Sequence, residues 1–424
     1  MSRLQWRTVL IMIGLNALDG FDVLSISFAA PGIAADWGIN RAALGIVLSM
    51  ELFGMAVGAV LLGKVADTIG RRPTILGCLC LMTAGMASAS MAHDVLTLCI
   101  WRVITGLGIG GMLAATNAAT AEASNAAHRE LTVILMAAGY PLGAVVGGSI
   151  ASVLLGYFTW QSVFVFGAVT TALFIPIVLL GAPESLAFEL QGRRHGALRR
   201  ANAILIQMGQ KPLRSLPSHR SRPQRRQMGL LSNHRLKPLL LLTSAYLGHI
   251  MTFYFVLKWI PKIVADLGHA PASAAGVLVW ANIGGMIGAI TLGVLAMRVR
   301  LLSLTIATML ASAALVTFFG LGQSDLERLS IVAAMTGFCT NAGVVGLYAI
   351  VARAFETEVR ATATGFVIGI GRGGSAAAPA LAGLLFQAGF SLAGVATTMA
   401  LGSAIGAAAL ALLAWTREGT PHRS

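Results

Sequence analysis

Charge is scarce in this chain of 424 residues. Only 11% of them are Asp, Glu, Lys or Arg, and the 16 acids are outnumbered by 30 bases. A water-soluble domain carries about a quarter charged residues, so the two or three soluble domains that the length alone would suggest are excluded. Cysteine is scarcer still. Cys78, Cys80, Cys99 and Cys339 all lie inside apolar runs, at spacings that suit neither zinc nor a disulfide framework, and they are expected to be packing residues. No nucleophile–base set and no metal-ligand cluster stands out, so the chain does not read as an enzyme, and neither metal nor cofactor is expected.

What the chain has in quantity is apolar sequence, 56% of its residues. Runs of roughly 18 to 25 such residues recur from end to end, the length that a bilayer's hydrocarbon core requires. The reading is an all-α polytopic membrane protein with twelve spans, near 8–30, 42–63, 74–92, 95–120, 130–153, 160–181, 237–259, 273–296, 302–320, 328–351, 361–388 and 391–414. The first is not a cleaved signal peptide, because Asp19 and Asp22 interrupt the apolar core that a signal needs unbroken.

The formal net charge of +14 would suggest a nucleic-acid partner, but the positions of the bases argue against one. With the N-terminus inside, 24 of the 30 Lys and Arg fall in cytoplasmic segments. Arg41, Lys262 and Arg328 fall outside, and Arg102, Lys258 and Arg372 within spans. By the positive-inside rule both termini are cytoplasmic, and in a bacterial cell the membrane would be the inner one. Six spans occupy residues 1–181 and six occupy 237–424, the latter with a short cytoplasmic tail. Between them lies a basic loop, 182–236, whose eleven arginines and lysines before Lys237 face only Glu184 and Glu189. A solvated positive-inside linker is the plainer reading of this loop and an anionic-lipid surface the other. Leu186 to Gln210 is compatible with a surface helix, whereas Pro212 to Pro223 is too rich in Pro, Ser and Arg for order.

The chain is organised around Leu15–Gly32, LNALDGFDVLSISFAAPG. Acids at bilayer depth cost about 2.5 to 3.5 kcal/mol each on insertion scales, so they mark function. Asp19 and Asp22, three apart, share a helix face and are candidates for proton coupling, with Glu51 in the second span a third. By helical rise Arg102 lies near the depth of Asp22, which allows an Asp22–Arg102 pair, either permanent or exchanging partners, if the first and fourth spans adjoin. Arg372 sits deep in a Gly-rich span, where its guanidinium would suit a bidentate carboxylate; a buried intramolecular pair is the equal alternative. His249 near Tyr246, Phe253 and Tyr254 would suit a proton relay or an aromatic ligand, although a hydrogen-bonded core histidine is commoner. Asn341 and Asn282 are midspan amides, for which interhelical bonding is the plainer reading.

Between the second and third spans stands Gly63-Lys-Val-Ala-Asp67-Thr-Ile-Gly70-Arg71-Arg72. It resembles the signature loop of the major facilitator superfamily, and Arg102-x-x-x-Gly106-x-Gly108 resembles a second superfamily motif. Asp19-Gly20-Phe21-Asp22, Trp101-Arg102-Val103-x-Thr105-Gly106-Leu107-Gly108-x-Gly110-Gly111, Trp259-x-Pro261 and Arg360-Ala361-Thr362 followed by Gly369-x-Gly371-Arg372 narrow the likeness to its aromatic acid/proton symporter family. The likeness implies two six-helix pseudo-symmetric halves and proton-driven import of a small hydroxybenzoate-like acid by a monomeric functional unit. The loop residues, with Glu122, Arg129 and Arg360 at the cytoplasmic face, would form a conformational latch. In the second half Met297 replaces the loop aspartate, so a latch there would be weaker, and Glu51 is not a general feature of the family. Two rivals remain: an efflux antiporter, suggested by Gly139-Tyr140-Pro141, and a non-transporting sensor.

Overall fold

A computed structural model of the protein describes residues 1–125, 127–191, 196–216, 233–322 and 325–418. Arg193, Arg194, Arg220, Arg222, Arg225 and Arg226 of the basic loop, most of Pro212–Pro223 and the end of the C-terminal tail lie outside the described residues.

Among the described residues all regular structure is helical: α1 (Arg3–Trp37), α2 (Arg41–Ile69), α3 (Arg71–Ser90), α4 (Val95–Ala123), α5 (Arg129–Tyr157), α6 (Gln161–Gly181), α7 (Leu186–Glu189), α8 (Ala197–Gln207), α9 (Asn233–Asp266), α10 (Pro271–Leu295), α11 (Leu301–Gly320), α12 (Leu326–Ala354), α13 (Thr357–Gln387) and α14 (Leu392–Glu418). Eleven of them are long and apolar enough to cross a bilayer. The twelfth expected span is α13, whose 31 residues suffice in length, while Arg372 and its glycines dilute its apolar character. The surface helix expected over Leu186–Gln210 is instead two pieces, α7 and α8, joined by an Arg200–Glu189 ion pair of 2.9 Å.

Helix starts are fixed locally. The Asp94 side chain caps α4 by accepting from the Thr97 N–H at 2.8 Å, and the bonds from Thr97 hold its carboxyl below the usual carboxylate range. Asp325 caps α12 in the same way through Glu327 N. Between α2 and α3 the chain turns at Gly70, whose φ of +105° only glycine adopts without strain.

The chain forms two compact units, whose limits cut through α1, α2 and α5. One comprises residues 1–25, 50–147 and 161–224; the other comprises 26–49, 148–160 and 225–424. In the first, α2 crosses α4 with the backbones in contact: a Cβ on Gly54 or Gly58 would strike the Val103 or Leu107 carbonyl, and one on Gly106 or Gly110 that of Glu51 or Met55. α1 meets α5 likewise, with Gly20 against the Tyr140 carbonyl and Gly143 against that of Ala17. Small residues of this kind drive helix association in lipid, where the hydrophobic effect does not.

The second unit repeats the scheme. Gly284, Gly288 and Gly337 bring α10 and α12 together against the Ala334, Phe338 and Ala281 carbonyls. Its apolar core runs from Leu242 and Tyr246 through Met309 and Leu347 to Leu410. At one end, the N-terminal part of α2 packs on α13, where Gly45 and Gly383 face each other and the Ala380 N–H donates to Ser49 Oγ at 3.0 Å. Ser152 of α5 likewise donates to the Ala272 carbonyl at 2.7 Å.

Candidate functional site

The first unit buries an ionisable cluster. Asp19 and Asp22 of α1, Glu51 of α2 and Arg102 of α4 are all at most 1% exposed. Arg102 Nη2 pairs with Glu51 Oε1 at 2.5 Å and reaches Asp22 only through its main-chain carbonyl, at 3.2 Å. The expected Asp22–Arg102 pair is thus replaced by Glu51–Arg102. The reason lies in the α2–α4 crossing. Glu51 stands three residues before Gly54, and Arg102 four before Gly106. The two glycines bring the backbones together, so the side chains one turn away must meet.

The rest of the guanidinium is covered by Met86 Sδ, 3.1 Å from Nη1, and by the Phe164 ring, 5.3 Å from Cζ. Asp22 Oδ2 accepts from Thr171 Oγ1 at 3.4 Å. Neither carboxylate oxygen of Asp19 has a hydrogen-bond partner among the described residues. An ionised carboxylate without donors in an apolar interior is prohibitively unfavourable, whereas a protonated acid is tolerable there. The cluster therefore joins one committed ion pair to an acid suited to carry or release a proton.

The loop motif builds a second cluster in the same unit. Arg71 pairs with Asp67 at 2.6 Å and with both Glu122 oxygens, at 3.1 and 3.4 Å. Ser185 Oγ donates to Glu122 Oε2 at 2.5 Å. Glu184 Oε1 accepts from the Arg71 and Arg72 N–H groups at 2.8 and 3.2 Å, capping α3 where the helix dipole favours an anion. Arg72 donates to the Leu179 carbonyl at 2.5 Å. Gly63 opens the motif with open space about it apart from Ala114. Glu122 thus belongs to the loop motif's cluster. Arg129 Nε donates to the Ala121 carbonyl at 3.1 Å, and Arg360 Nε to that of Phe355 at 3.3 Å, each completing the end of the preceding long helix. Sequence reading missed Glu184 and Ser185. Two polar residues just after a span carry no signal until the chain is folded back onto α3.

In the second unit Arg372 is half-buried and makes no ion pair or side-chain hydrogen bond among the described residues. Beside it on α13, Gly371 abuts the Tyr246 ring, whose hydroxyl donates to Tyr348 Oη at 3.0 Å. His249 has the commoner of its two expected arrangements, that of a hydrogen-bonded core histidine. Its Nδ1 lies 2.8 Å from Ser403 Oγ and its Nε2 2.8 Å from the Thr340 carbonyl, so both nitrogens are committed inside a fully buried core. Nε2 must carry the proton, since a carbonyl only accepts. Asn341 donates to the Gly285 carbonyl across the α10–α12 crossing and Asn282 to that of Leu278 in its own helix. Phe253 and Tyr254 pack on each other edge to face.

Long apolar helices around buried ionisable groups are the architecture of a polytopic membrane protein. The family model described as Major Facilitator Superfamily matches residues 12–326, and the chain belongs to that superfamily. It is 29% identical to the gallate transporter of Pseudomonas putida over 97% of this chain and 91% of that one. It is 28% identical to the 4-hydroxybenzoate transporter of the same organism, over 88% and 85%. With the 3-(3-hydroxy-phenyl)propionate transporter of Escherichia coli it shares 27%, over 93% and 91%. Among solved structures it resembles a D-xylose-proton symporter, with a TM-score of 0.73 at 14% identity over 96% of this chain and 97% of that one. The inward-open xylose transporter of E. coli gives 0.71 at 16%, over 99% and 98%. At such identities the likeness is one of fold.

Proposed function

We propose that the protein imports a hydroxybenzoate-like aromatic carboxylate together with protons, by alternating access of two six-helix halves across a bacterial inner membrane. Both termini and the basic segment between α6 and α9 face the cytoplasm. The observation that carries the proton part is Asp19, fully buried and without a hydrogen-bond partner among the described residues, in the same cluster as a Glu51–Arg102 pair that already neutralises one acid. Asp19 takes the proton, Asp22 and Glu51 hold the charge balance around Arg102, and Arg372, which pairs with no acid among the described residues, receives the substrate carboxylate. Proton and anion carried together make a neutral load, and the proton gradient then drives accumulation. The substrate class is supported by the names of the relatives, each a transporter of a hydroxylated aromatic acid.

The test is uptake of radiolabelled 4-hydroxybenzoate, protocatechuate, gallate and benzoate into cells, with and without a proton ionophore. Accumulation of at least one acid that collapses with the ionophore is the expected outcome; accumulation indifferent to it would remove the proton from the mechanism. Asp19→Asn, a fixed mimic of the protonated acid, should retain exchange of substrate down its own gradient and lose uphill accumulation. An Asp19→Asn protein that still concentrates substrate would shift the proton to Glu51.

A further inference from the structure

The second unit holds a cavity of about 550 Å3 at the end where α1 stops, α2 starts and α9 stops. Small-molecule sites fall in the range of roughly 300 to 1,000 Å3. Its polar lining is Asn40, Arg41, Lys262, Asp266, His269 and Gln387, and its other walls are apolar. Arg41 Nη2 donates to Asp266 Oδ2 at 3.1 Å, and Lys262 pairs with Asp266 Oδ1. One carboxylate is thus shared by two cations. The cavity keeps an excess positive charge while three quarters of its charged and basic groups are donors. His269 Nε2 is buried there with no hydrogen-bond partner among the described residues. Arg41 is further held over the Phe386 ring, its Cζ 5.1 Å from the centroid, so its fork is oriented although the side chain stays exposed. Two of the three cations that the sequence assigns to the outer face line this one cavity.

We propose that this cavity is a peripheral binding site for an aromatic carboxylate on the outer face, at which the ligand's carboxylate displaces Asp266 from Arg41 and Lys262. The proposal rests on the orientation and substrate class given above. Arg41 offers a planar pair of donors, Lys262 a point charge and His269 a further nitrogen, while the apolar walls receive the ring. Because the Arg41–Asp266 bond ties the start of α2 to the end of α9, an arriving anion both gathers at the mouth and releases one of the ties that hold this end together.

The experiment places a cysteine at Asn40 in a cysteine-free background and follows its labelling by a membrane-impermeant maleimide in intact cells. Benzoate should slow labelling about fivefold, the effect of roughly 1 kcal/mol, and its neutral isostere benzamide should not. Arg41→Gln with Lys262→Gln should abolish that protection while uptake at saturating substrate persists; Arg41→Lys should keep part of it. Absence of protection, equal protection by benzamide, or protection that survives the double substitution would overturn the proposal. The last result would mean that benzoate acts from elsewhere in the protein. Labelling only after permeabilisation would overturn the site through its orientation, whereas protection of the position-40 reporter together with a wild-type protein that takes up no aromatic acid would overturn the transport reading alone.

Discussion

At the scale of single residues, the four letters Asp19-Gly20-Phe21-Asp22 each answer a different demand. Gly20 is required because the Tyr140 carbonyl occupies the space of its Cβ. Phe21 stacks edge-on against Phe166, with centroids 5.1 Å apart. Asp22 accepts from Thr171, and the Asp19 carboxyl has no hydrogen-bond partner among the described residues. The Glu51–Arg102 pair is the other residue-scale feature, and its energetics are lopsided. A buried pair adds little over an apolar pair of similar volume, but removing one partner strands the other charge at a cost of about 3–5 kcal/mol. Glu51→Gln should therefore lower thermal stability in detergent markedly, and Glu51→Met combined with Arg102→Met should recover much of that loss, even though transport is not restored. Wild-type stability in Glu51→Gln would mean that Arg102 finds an equivalent partner, Asp22 being the nearest.

At the scale of elements, the α2–α3 turn shows what sequence can and cannot convey. Gly70, Arg71 and Arg72 were legible because a tight turn and cytoplasmic cations have local signatures. Glu184, which caps α3 from more than a hundred residues away, has none. The same holds for Glu51 and Arg102. Each was visible as a costly charge in an apolar run, but their pairing depends on which helices cross, and only the facing glycines of α2 and α4 decide that. The spans were legible as elements, since bilayer thickness sets a length that composition can report, while the helices α1, α2 and α9 run on past the expected ends, to Trp37, Ile69 and Asp266. For the turn, Glu184→Gln should remove a charge-assisted cap worth about 0.5–2 kcal/mol. Arg71, Asp67 and Glu122 would remain paired, so substrate binding should persist while the transport rate falls. A loss of binding equal to the loss of rate would assign Glu184 to folding alone.

At the scale of the whole molecule, the two units use one device twice: glycine-lined crossings of α2 with α4 and of α10 with α12. A second likeness lies at the helix ends, where Arg129 and Arg360 complete the ends of α4 and α12 in the same manner. The proposed orientation makes a direct prediction for intact cells. A cysteine at Gln210 should resist an impermeant thiol reagent, and one at Asn40 should react. The reverse pattern would invert the topology and with it the direction assigned to transport.

The buried pair between α2 and α4 also bears on how the chain is made. Synthesis runs from α1 to α4, so Asp19, Asp22 and Glu51 reach the membrane before Arg102 exists to meet any of them. During that interval the translocation machinery must hold three acids whose residence in lipid costs a few kcal/mol each. Release of α1 and α2 into the bilayer is therefore expected to follow the emergence of α4, whose Arg102 pairs with Glu51. A nascent chain arrested before Arg102 should stay crosslinkable to the translocon, and one arrested beyond Ala123 should have left it.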